Sequence, residues 1–429
     1  MSINIAKIYS ILGSENSIVP LAVKDSFSSL GMTSGSFITG QEEGYDRFID
    51  EVGTEIVWLG GVPIYKWLFD KTVFNIYGLD SKYDARNLKN KDIFQRTKKY
   101  APDEDIKKAI EKIEKKQKIF KNLAASKFIL STSLAIMSYI MLTKYKQKYT
   151  EKQIKKKLIN EYQKKQNDDS SQGEKIQKNT DSPSFKSLGS MTESLAYNSV
   201  KNMWIVDGAI TSERLLDSRN PQEFIGYAIK EAFSLCFLYY AGGKIQKFLE
   251  NNAMKKHNRN IALDARVLEN NYIKQIFKDG TIKSSLDAFD KIKKDPIELY
   301  DFLHKNPNNA IVKIAKQSDI IVSYKNTDKI DTRAYIDLEK IETLKKDLNK
   351  LYEQYKEAAQ KGENTEKFFK KVKKLKRCSI ITNIGTSIFA LGILAPGVML
   401  IKRKFFDQDS EFQTKRDIRN QMIKDGIIN

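Results

Sequence analysis

Two cysteines, Cys236 and Cys378, and two histidines, His257 and His304, are all that this 429-residue chain has of the side chains that most often hold metals or act as nucleophiles. The cysteines lie far apart, each inside an apolar stretch, which excludes a disulfide framework and a multi-cysteine zinc site. His257 falls in the basic run Lys255 to Arg259 and His304 near Asp301, with no second ligand at metal-binding spacing, so both read as ordinary surface histidines. No G-x-x-x-x-G-K-[ST] phosphate loop and no G-x-S-x-G elbow occur, and Gly242-Gly243-Lys244 lacks both the upstream glycine and the following hydroxyl residue that a phosphate cradle needs. Acidic residues are plentiful, but in a chain that is 30% charged their spacing alone assigns no acid–base pair. No catalytic, metal or cofactor residue is therefore assigned, and the expectation leans away from an enzyme. The N-terminus also lacks a charged segment followed by a short apolar core and a cleavage site, so no secretory signal is expected there.

Basic charge is abundant. Lys and Arg number 74 against 54 Asp and Glu, a formal net charge of +20, and only 12 of the 74 are Arg. Such an excess suits a polyanion, either anionic lipid or nucleic acid. The nucleic-acid alternative has Lys155-Lys156-Lys157 in its favour, yet no recognised motif and no interleaved aromatic platform accompanies it. A generally solvated Lys-rich surface is the plainer account.

Cys378 to Ile401 forms a run of 24 uncharged residues, about 36 Å of helix at 1.5 Å per residue, enough to cross a hydrocarbon core. Basic residues bracket it: Lys370, Lys371, Lys373, Lys374, Lys376 and Arg377 before, Lys402, Arg403 and Lys404 after. These are expected to meet anionic lipid headgroups. Pro396-Gly397 predicts a kink. Phe128 to Thr143 spans only about 24 Å unless Lys127 and Lys144 snorkel. The stretches near 56–69 and 224–243 are weaker, and suit interfacial, re-entrant or core helices. Lys crowds both flanks of the two better segments, so the positive-inside rule gives no orientation; only the mildly acidic region before residue 55 favours an outside N-terminus.

The same features occur twice in the same order. Phe48-Ile49, Glu55, Gly60-Gly61, Asp84-Ala85-Arg86-Asn87-Leu88-Lys89-Asn90 and Ser131-Thr132-Ser133-Leu134 are followed by Phe224-Ile225, Glu231, Gly242-Gly243, Asp264-Ala265-Arg266-Val267-Leu268-Glu269-Asn270 and Gly385-Thr386-Ser387-Ile388. The reading is a mainly α, membrane-associated protein built from two tandem, divergent helical units related by a pseudo-two-fold axis along the membrane normal. A first unit covers 1–150, with apolar segments near 56–69 and 128–143. A flexible polar linker covers 151–199. The second unit covers 200–405, with apolar segments near 224–243 and 378–401 and an inserted helical region at 272–365, and a polar tail covers 406–429.

Within the insertion, Leu338, Ile341, Leu344, Leu348, Leu351 and Tyr355 recur at spacings of three and four, predicting an amphipathic helix that packs in its own domain or takes a protein partner through 338–355. Asp84, Arg86, Asn90, Asp264, Arg266 and Asn270 are candidate polar residues at the interface of the repeats. The plainer reading makes Asp a helix N-cap, the Leu at +4 a packing residue and the Asn at +6 a turn residue at the helix C-terminus. Thr132, Ser133, Thr386 and Ser387 are expected to hydrogen-bond between helices rather than line a pore. The expected role is that of a non-enzymatic membrane anchor, scaffold or partner-binding element with basic faces toward anionic lipid. Transport or pore formation is the first alternative, although the best span carries no Asp, Glu or Arg. A basic nucleic-acid-binding protein with a buried hydrophobic helix is the second.

Overall fold

The computed structural model describes residues 5–13, 18–165, 197–292, 295–325, 327–406 and 412–428. It is mainly helical. Among the described residues the only β pairing is one bridge, Ser323 to Ile330.

A short helix α1 (Ile5–Leu12) precedes an antiparallel hairpin of α2 (Val19–Thr39) and α3 (Gln41–Glu55). The helix of α3 then runs on through a π turn, π1 (Ile56–Gly61), α4 (Val62–Phe69), a second π turn, π2 (Asp70–Phe74), and α5 (Asn75–Tyr77). Gly78 ends it in the left-handed region at φ 61°, a conformation glycine adopts without steric cost. After α6 (Lys91–Lys99) and α7 (Glu104–Lys115) comes α8 (Gln117–Lys165), 49 residues in one helix.

The pattern then recurs. α9 (Ser199–Leu216) and α10 (Pro221–Ser234) form a hairpin, and π3 (Leu235–Tyr240) and α11 (Ala241–His257) extend it to Asn258, again left-handed at φ 49°. Several landmarks keep a constant spacing of 180 residues: the hairpin starts Val19 and Ser199, the left-handed stops Gly78 and Asn258, and the turns at Asp84 and Asp264. In this register buried Glu51, not Glu55, stands at the place of buried Glu231.

Short helices follow: α12 (Ala265–Glu269), α13 (Asn271–Lys278), α14 (Thr281–Asp290), α15 (Pro296–Lys305) and α16 (Ala310–Gln317). Then come α17 (Leu338–Gln360), α18 (Thr365–Phe389), π4 (Ala390–Leu394), α19 (Ala395–Phe406) and α20 (Gln413–Lys424).

Two regions result, one with an apolar core and one, the long helices, in which an apolar cluster including Trp58, Val206, Ile210, Leu238 and Leu391 stands beside buried charges. From 253 to 372 the core is apolar, with Ile311, Ile314, Ile341, Leu348, Leu351 and Phe369 among its fully buried members. The stripe predicted for 338–355 lies on α17 and packs into this core, within its own region. The long helices form the second region, a bundle. There α2 packs along α18, π4 and α19 and α9 along α8, while α3 packs on α8 and α10 on π4 and α19, so each hairpin touches both long helices. The lead segments cross over: α1 packs on α12, and the Tyr197 hydroxyl accepts from Ala85 N at 3.0 Å.

Two prolines explain two of the π turns. Proline removes an amide donor, and its ring collides with the carbonyl four residues back. Pro63 and Pro396 each lie at the second position after π1 and π4, where the wider turn has already displaced that carbonyl. At Pro396, where the sequence predicts a kink, the helix carries a π turn just before the proline and then continues. The bulge also permits close approach: a Cβ on Gly31 of α2 would stand 2.2 Å from the Gly392 carbonyl oxygen, so the two backbones touch as small residues allow in membrane bundles.

The expected linker begins later than 151. α8 stays helical to Lys165 because Ile154 and Leu158 bury against Ile418, Met422 and Ile428. The same contacts order the expected polar tail into α20. The rest of the linker, 166–196, lies outside the described residues.

Candidate functional site: an ionic column inside the bundle

α3 opens with Glu42 and Glu43 in its first turn, where the positive end of the helix favours them. Asp46, Arg47, Asp50, Glu51 and Thr54 then recur at spacings of three and four on one face, and all are buried. Tyr45, Phe48, Val52 and Ile56 occupy the opposite face and are exposed. α10 repeats the inversion. Its N-cap Asn220 accepts from Glu223 N at 2.9 Å, Tyr227, Lys230, Glu231 and Ser234 turn inward, and Phe224 and Ile225 face out.

Arg214 of α9 sits at the centre, 1% exposed. It donates from Nε to the Tyr139 hydroxyl at 2.9 Å and from Nη2 to Thr54 Oγ1 at 2.7 Å, lies 3.2 Å from Asp50, and pairs through Nη1 with Glu231. Toward one end, Lys230 stands 3.3 Å from Glu51 and 3.1 Å from Glu231. Toward the other, Lys146 donates to the Tyr227 hydroxyl at 2.8 Å and lies 3.5 Å from Asp50. Beyond it Arg219 bridges Asp46 at 2.7 Å and Glu223 at 2.8 Å, and Thr150 donates to Asp46 at 2.7 Å. The column ends beside a cavity of about 50 Å³ lined by Glu43, Asp46, Glu223, Tyr227 and Arg403, where Arg403 pairs with Glu43 at 2.5 Å.

Five cations (Arg47, Lys146, Arg214, Arg219, Lys230) thus face five carboxylates (Asp46, Asp50, Glu51, Glu223, Glu231). Removing such ions from water costs several kcal/mol each, which only close pairing repays. Apolar residues would fill the same volume at less cost.

The D-A-R turns lie elsewhere. Asp84 caps its turn by accepting from Arg86 N at 2.9 Å, and the Arg86 guanidinium returns to the Asp84 carboxylate at 2.7 Å. Asp264 and Arg266 repeat this at 2.8 and 3.1 Å. Leu88 and Leu268 are buried. Asn270 is the C-cap of α12, as expected, and Asn90 and Asn270 each also N-cap the following helix, accepting from Asp92 N and from Tyr272 N at 2.9 Å. A third copy with the same spacing is Asp331-Thr332-Arg333, closed at 3.0 and 2.7 Å, with Asp337 capping α17. The first and third copies pack together through Asp84 N to the Arg333 carbonyl at 2.9 Å and Arg333 to Asp80 at 3.1 Å, with Arg86 over the Tyr335 ring. The second stands apart, Arg266 donating to the Ser318 carbonyl at 2.7 Å. Asp84–Arg86 and Asp264–Arg266 therefore form two local pairs rather than one shared ion-pair site.

The basic residues flanking 378–401 divide in two. Lys370, Lys371, Lys374 and Lys404 are exposed. Lys376 is buried and donates to the Ile261 carbonyl at 2.9 Å, Lys373 donates to the Glu269 carbonyl at 3.0 Å, and Arg377 forks Glu269 at 2.7 Å twice. Lys402 is half-buried, and Arg403 pairs with Glu43 beside the end of the ionic column. Thr132 reaches Asn202 of α9 at 3.4 Å, whereas Ser387 donates to Asn383 O within its own helix.

His257 is exposed in the last turn of α11, but His304 is no surface residue. It stacks on Tyr100 with ring centroids 4.7 Å apart and touches Tyr300, its Nε2 is buried with no hydrogen-bond partner among the described residues, and burial pulls its pKa down to about 4. Compared with known protein families, curated proteins and solved structures, the chain matches none.

Proposed function

We propose that this chain is a membrane protein whose bundle meets lipid through an apolar outer belt, and that it anchors the basic helical region of 79–116 and 259–375 at the membrane surface. One observation carries this reading: on α3 and α10 the charged residues are inside and the large apolar ones outside, the reverse of a water-soluble helix. The belt includes Leu30, Ile38, Ile56, Trp67, Ile393 and Ile401, each more than half exposed. Two helices, Gln117–Gln163 and Thr365–Phe405, are long and apolar enough to cross a membrane, and little of their apolar length is buried. The exposed Lys370, Lys371 and Lys374, at the head of the second of these helices, suit anionic headgroups.

The chain path limits how the bundle is placed. α8 ends beyond Glu42, where Lys157 pairs with that residue, whereas α9 begins at the opposite end, beside Ala85. The connecting stretch 166–196 is polar and carries several charges, and such a segment is not stable in hydrocarbon. We therefore read the belt as lipid-facing surface rather than as a set of bilayer crossings. The constant 180-residue spacing supports an origin by tandem duplication.

Washing membranes that hold the full chain with high salt and then at alkaline pH tests the anchor: retention is expected, and release by salt overturns it. Cys236 and Cys378, both exposed on the outside of the bundle, provide a second measurement. An impermeant thiol reagent is expected to miss Cys236 in membranes and to reach it after denaturation. A second reading, transport, is favoured by the ionic column alone, since ionisable groups enclosed by helices with lipid-facing exteriors commonly mark a path for ions or protons.

A further inference from the structure

The cavity at the end of the ionic column measures about 50 Å³, several times what one water needs, roughly 10 to 15 Å³. Three helices enclose it: α3 supplies Arg47, α10 supplies Gly226 and Tyr227, and α19 supplies Met399 and Lys402. The carboxylates on its wall are already engaged. Glu43 accepts from Thr39 Oγ1 at 2.7 Å and pairs with Arg403. Asp46 accepts from Thr150 and from Arg219 at 2.7 Å, and Glu223 accepts from the Arg219 amide at 2.7 Å and from its guanidinium at 2.8 Å.

Arg47 differs. It is 9% exposed and lies over the Tyr227 ring, 5.0 Å from its centroid, yet it makes no hydrogen bond among the described residues. Its Nη1 stands 3.8 Å from Asp50 Oδ2 and 3.5 Å from Glu51 Oε1, and both oxygens are themselves buried without a hydrogen-bond partner among the described residues. A guanidinium presents five N–H donors in a planar fork, and leaving buried donors unmatched is costly. These donors border open space. Nη2 is 3.6 Å from the point where a Cβ on Gly226 would stand, so the glycine leaves room in front of Arg47 that another side chain would enter. The charge suits an anion as well: the five cations and five carboxylates of the column balance, Arg403 offsets Glu43, and Lys402 adds positive charge to the wall.

We propose that this cavity binds a phosphoryl oxyanion through the guanidinium edge of Arg47, and that the phosphate belongs to a membrane lipid. The fork matches two oxygens of one phosphate, with Lys402 as a point charge beside it. Phe224 and Ile225 on α10 and Ile401 and Phe405 on α19 are exposed on the helices that wall the cavity, giving acyl chains an apolar surface to lie along. The lipid source rests on the membrane reading; the oxyanion chemistry does not.

Phosphorus-31 spectra of the purified full chain in a phosphorus-free detergent, titrated separately with inorganic phosphate and with monomeric dihexanoyl phosphatidic acid, test the site. Saturable binding of the lipid, one per chain and at least about tenfold tighter than inorganic phosphate, is expected. Arg47→Gln and Gly226→Leu are each expected to weaken it about tenfold or more, and Arg47→Lys, which keeps the charge but not the fork, to recover only part of the loss. Gly226→Leu removes no charged group, so it reports on the cavity when Arg47→Gln does not fold. Failure of the unmodified chain to bind either probe means that water alone fills the cavity and overturns the proposal, as does binding that the variants leave unchanged. Equal affinity for the two probes supports the oxyanion site and overturns the lipid source. Because inorganic phosphate needs no bilayer, the site stands or falls separately from the anchor: salt release from membranes with phosphate bound loses only the anchor, and retention without phosphate binding loses only the site.

Discussion

The bundle and the 253–372 region use one chain to solve opposite problems. In the latter, Leu348 and Ile341 are buried and Lys residues of the same helix face outward, as expected of a helix in water. In α3 the pattern turns round, with Asp50 and Glu51 inside and Phe48 and Val52 outside. Both helices are amphipathic with the same period. What distinguishes them is the inner face: ion pairs stand on α3 where apolar packing stands on α17, beside an apolar cluster that the bundle also keeps.

The sharpest way to break the comparison is Arg214→Ala, which strands Asp50 and Glu231 without their shared cation. We expect a loss of about 3 to 5 kcal/mol, or failure to fold, read by thermal unfolding in detergent, with much of it recovered when Glu231→Gln is added. An unshifted melting temperature would mean that the ionic core does not hold the bundle. Leu348→Ala is the counterpart in the apolar core, expected to cost about 2 to 5 kcal/mol through the cavity it leaves. Unlike the first, its effect should depend little on the detergent, because this core owes nothing to the outer belt. Gly31→Leu pushes α2 away from π4, and we expect about 1 to 3 kcal/mol and faster proteolysis between 13 and 41.

A smaller, pH-dependent effect is expected from His304 in the apolar region. His304 is neutral in the fold because its pKa there is about 4, below the ordinary 6.5 of the unfolded chain. The unfolded state therefore takes up the proton first. The stability this histidine contributes is complete above pH about 6.5 and falls as pH drops toward 4. His304→Phe is expected to flatten that slope in a pH series of melting curves, and an unchanged slope would assign it to other groups. The smallest effect is expected from exchanging Lys370, Lys371 and Lys374 for Gln: at most about 1 kcal/mol per residue in binding to anionic vesicles, diminishing with salt.

Much of the architecture was legible in the sequence. The helical class, the 378–401 segment, the α17 stripe and the recurrence of D-A-R all follow from period and motif. The ionic column was not, and the reason is physical. Tyr45, Phe48, Val52 and Ile56 alternate with Asp46, Asp50 and Glu51 as they would on any surface helix, and hydropathy does not say which face turns inward. Lys146 shows the same limit. It lies just past the uncharged run 128–143, so it reads as the end of a short span, whereas α8 continues and buries it against Asp50 and Tyr227. Asp331-Thr332-Arg333 escaped notice because only the Asp, the Arg and a capping residue six positions after the Asp repeat. The signal that finds it is the spacing of side chains that close a turn, not identity along the chain.

The π turns bear on how such helices can change. Each wide turn holds one residue more than an α-helical turn, so residues beyond π1 or π4 are rotated about 100° from the register that the preceding residues set. Deleting a single residue within π1 should therefore restore ordinary helix, turn the Pro63 ring back onto a backbone carbonyl and swing Tyr65 away from Ser138, which it now meets at 2.6 Å. In a helix locked to the ionic core at one end and to a neighbour at the other, the extra residue works as a phase adjustment, letting each end keep the face it needs.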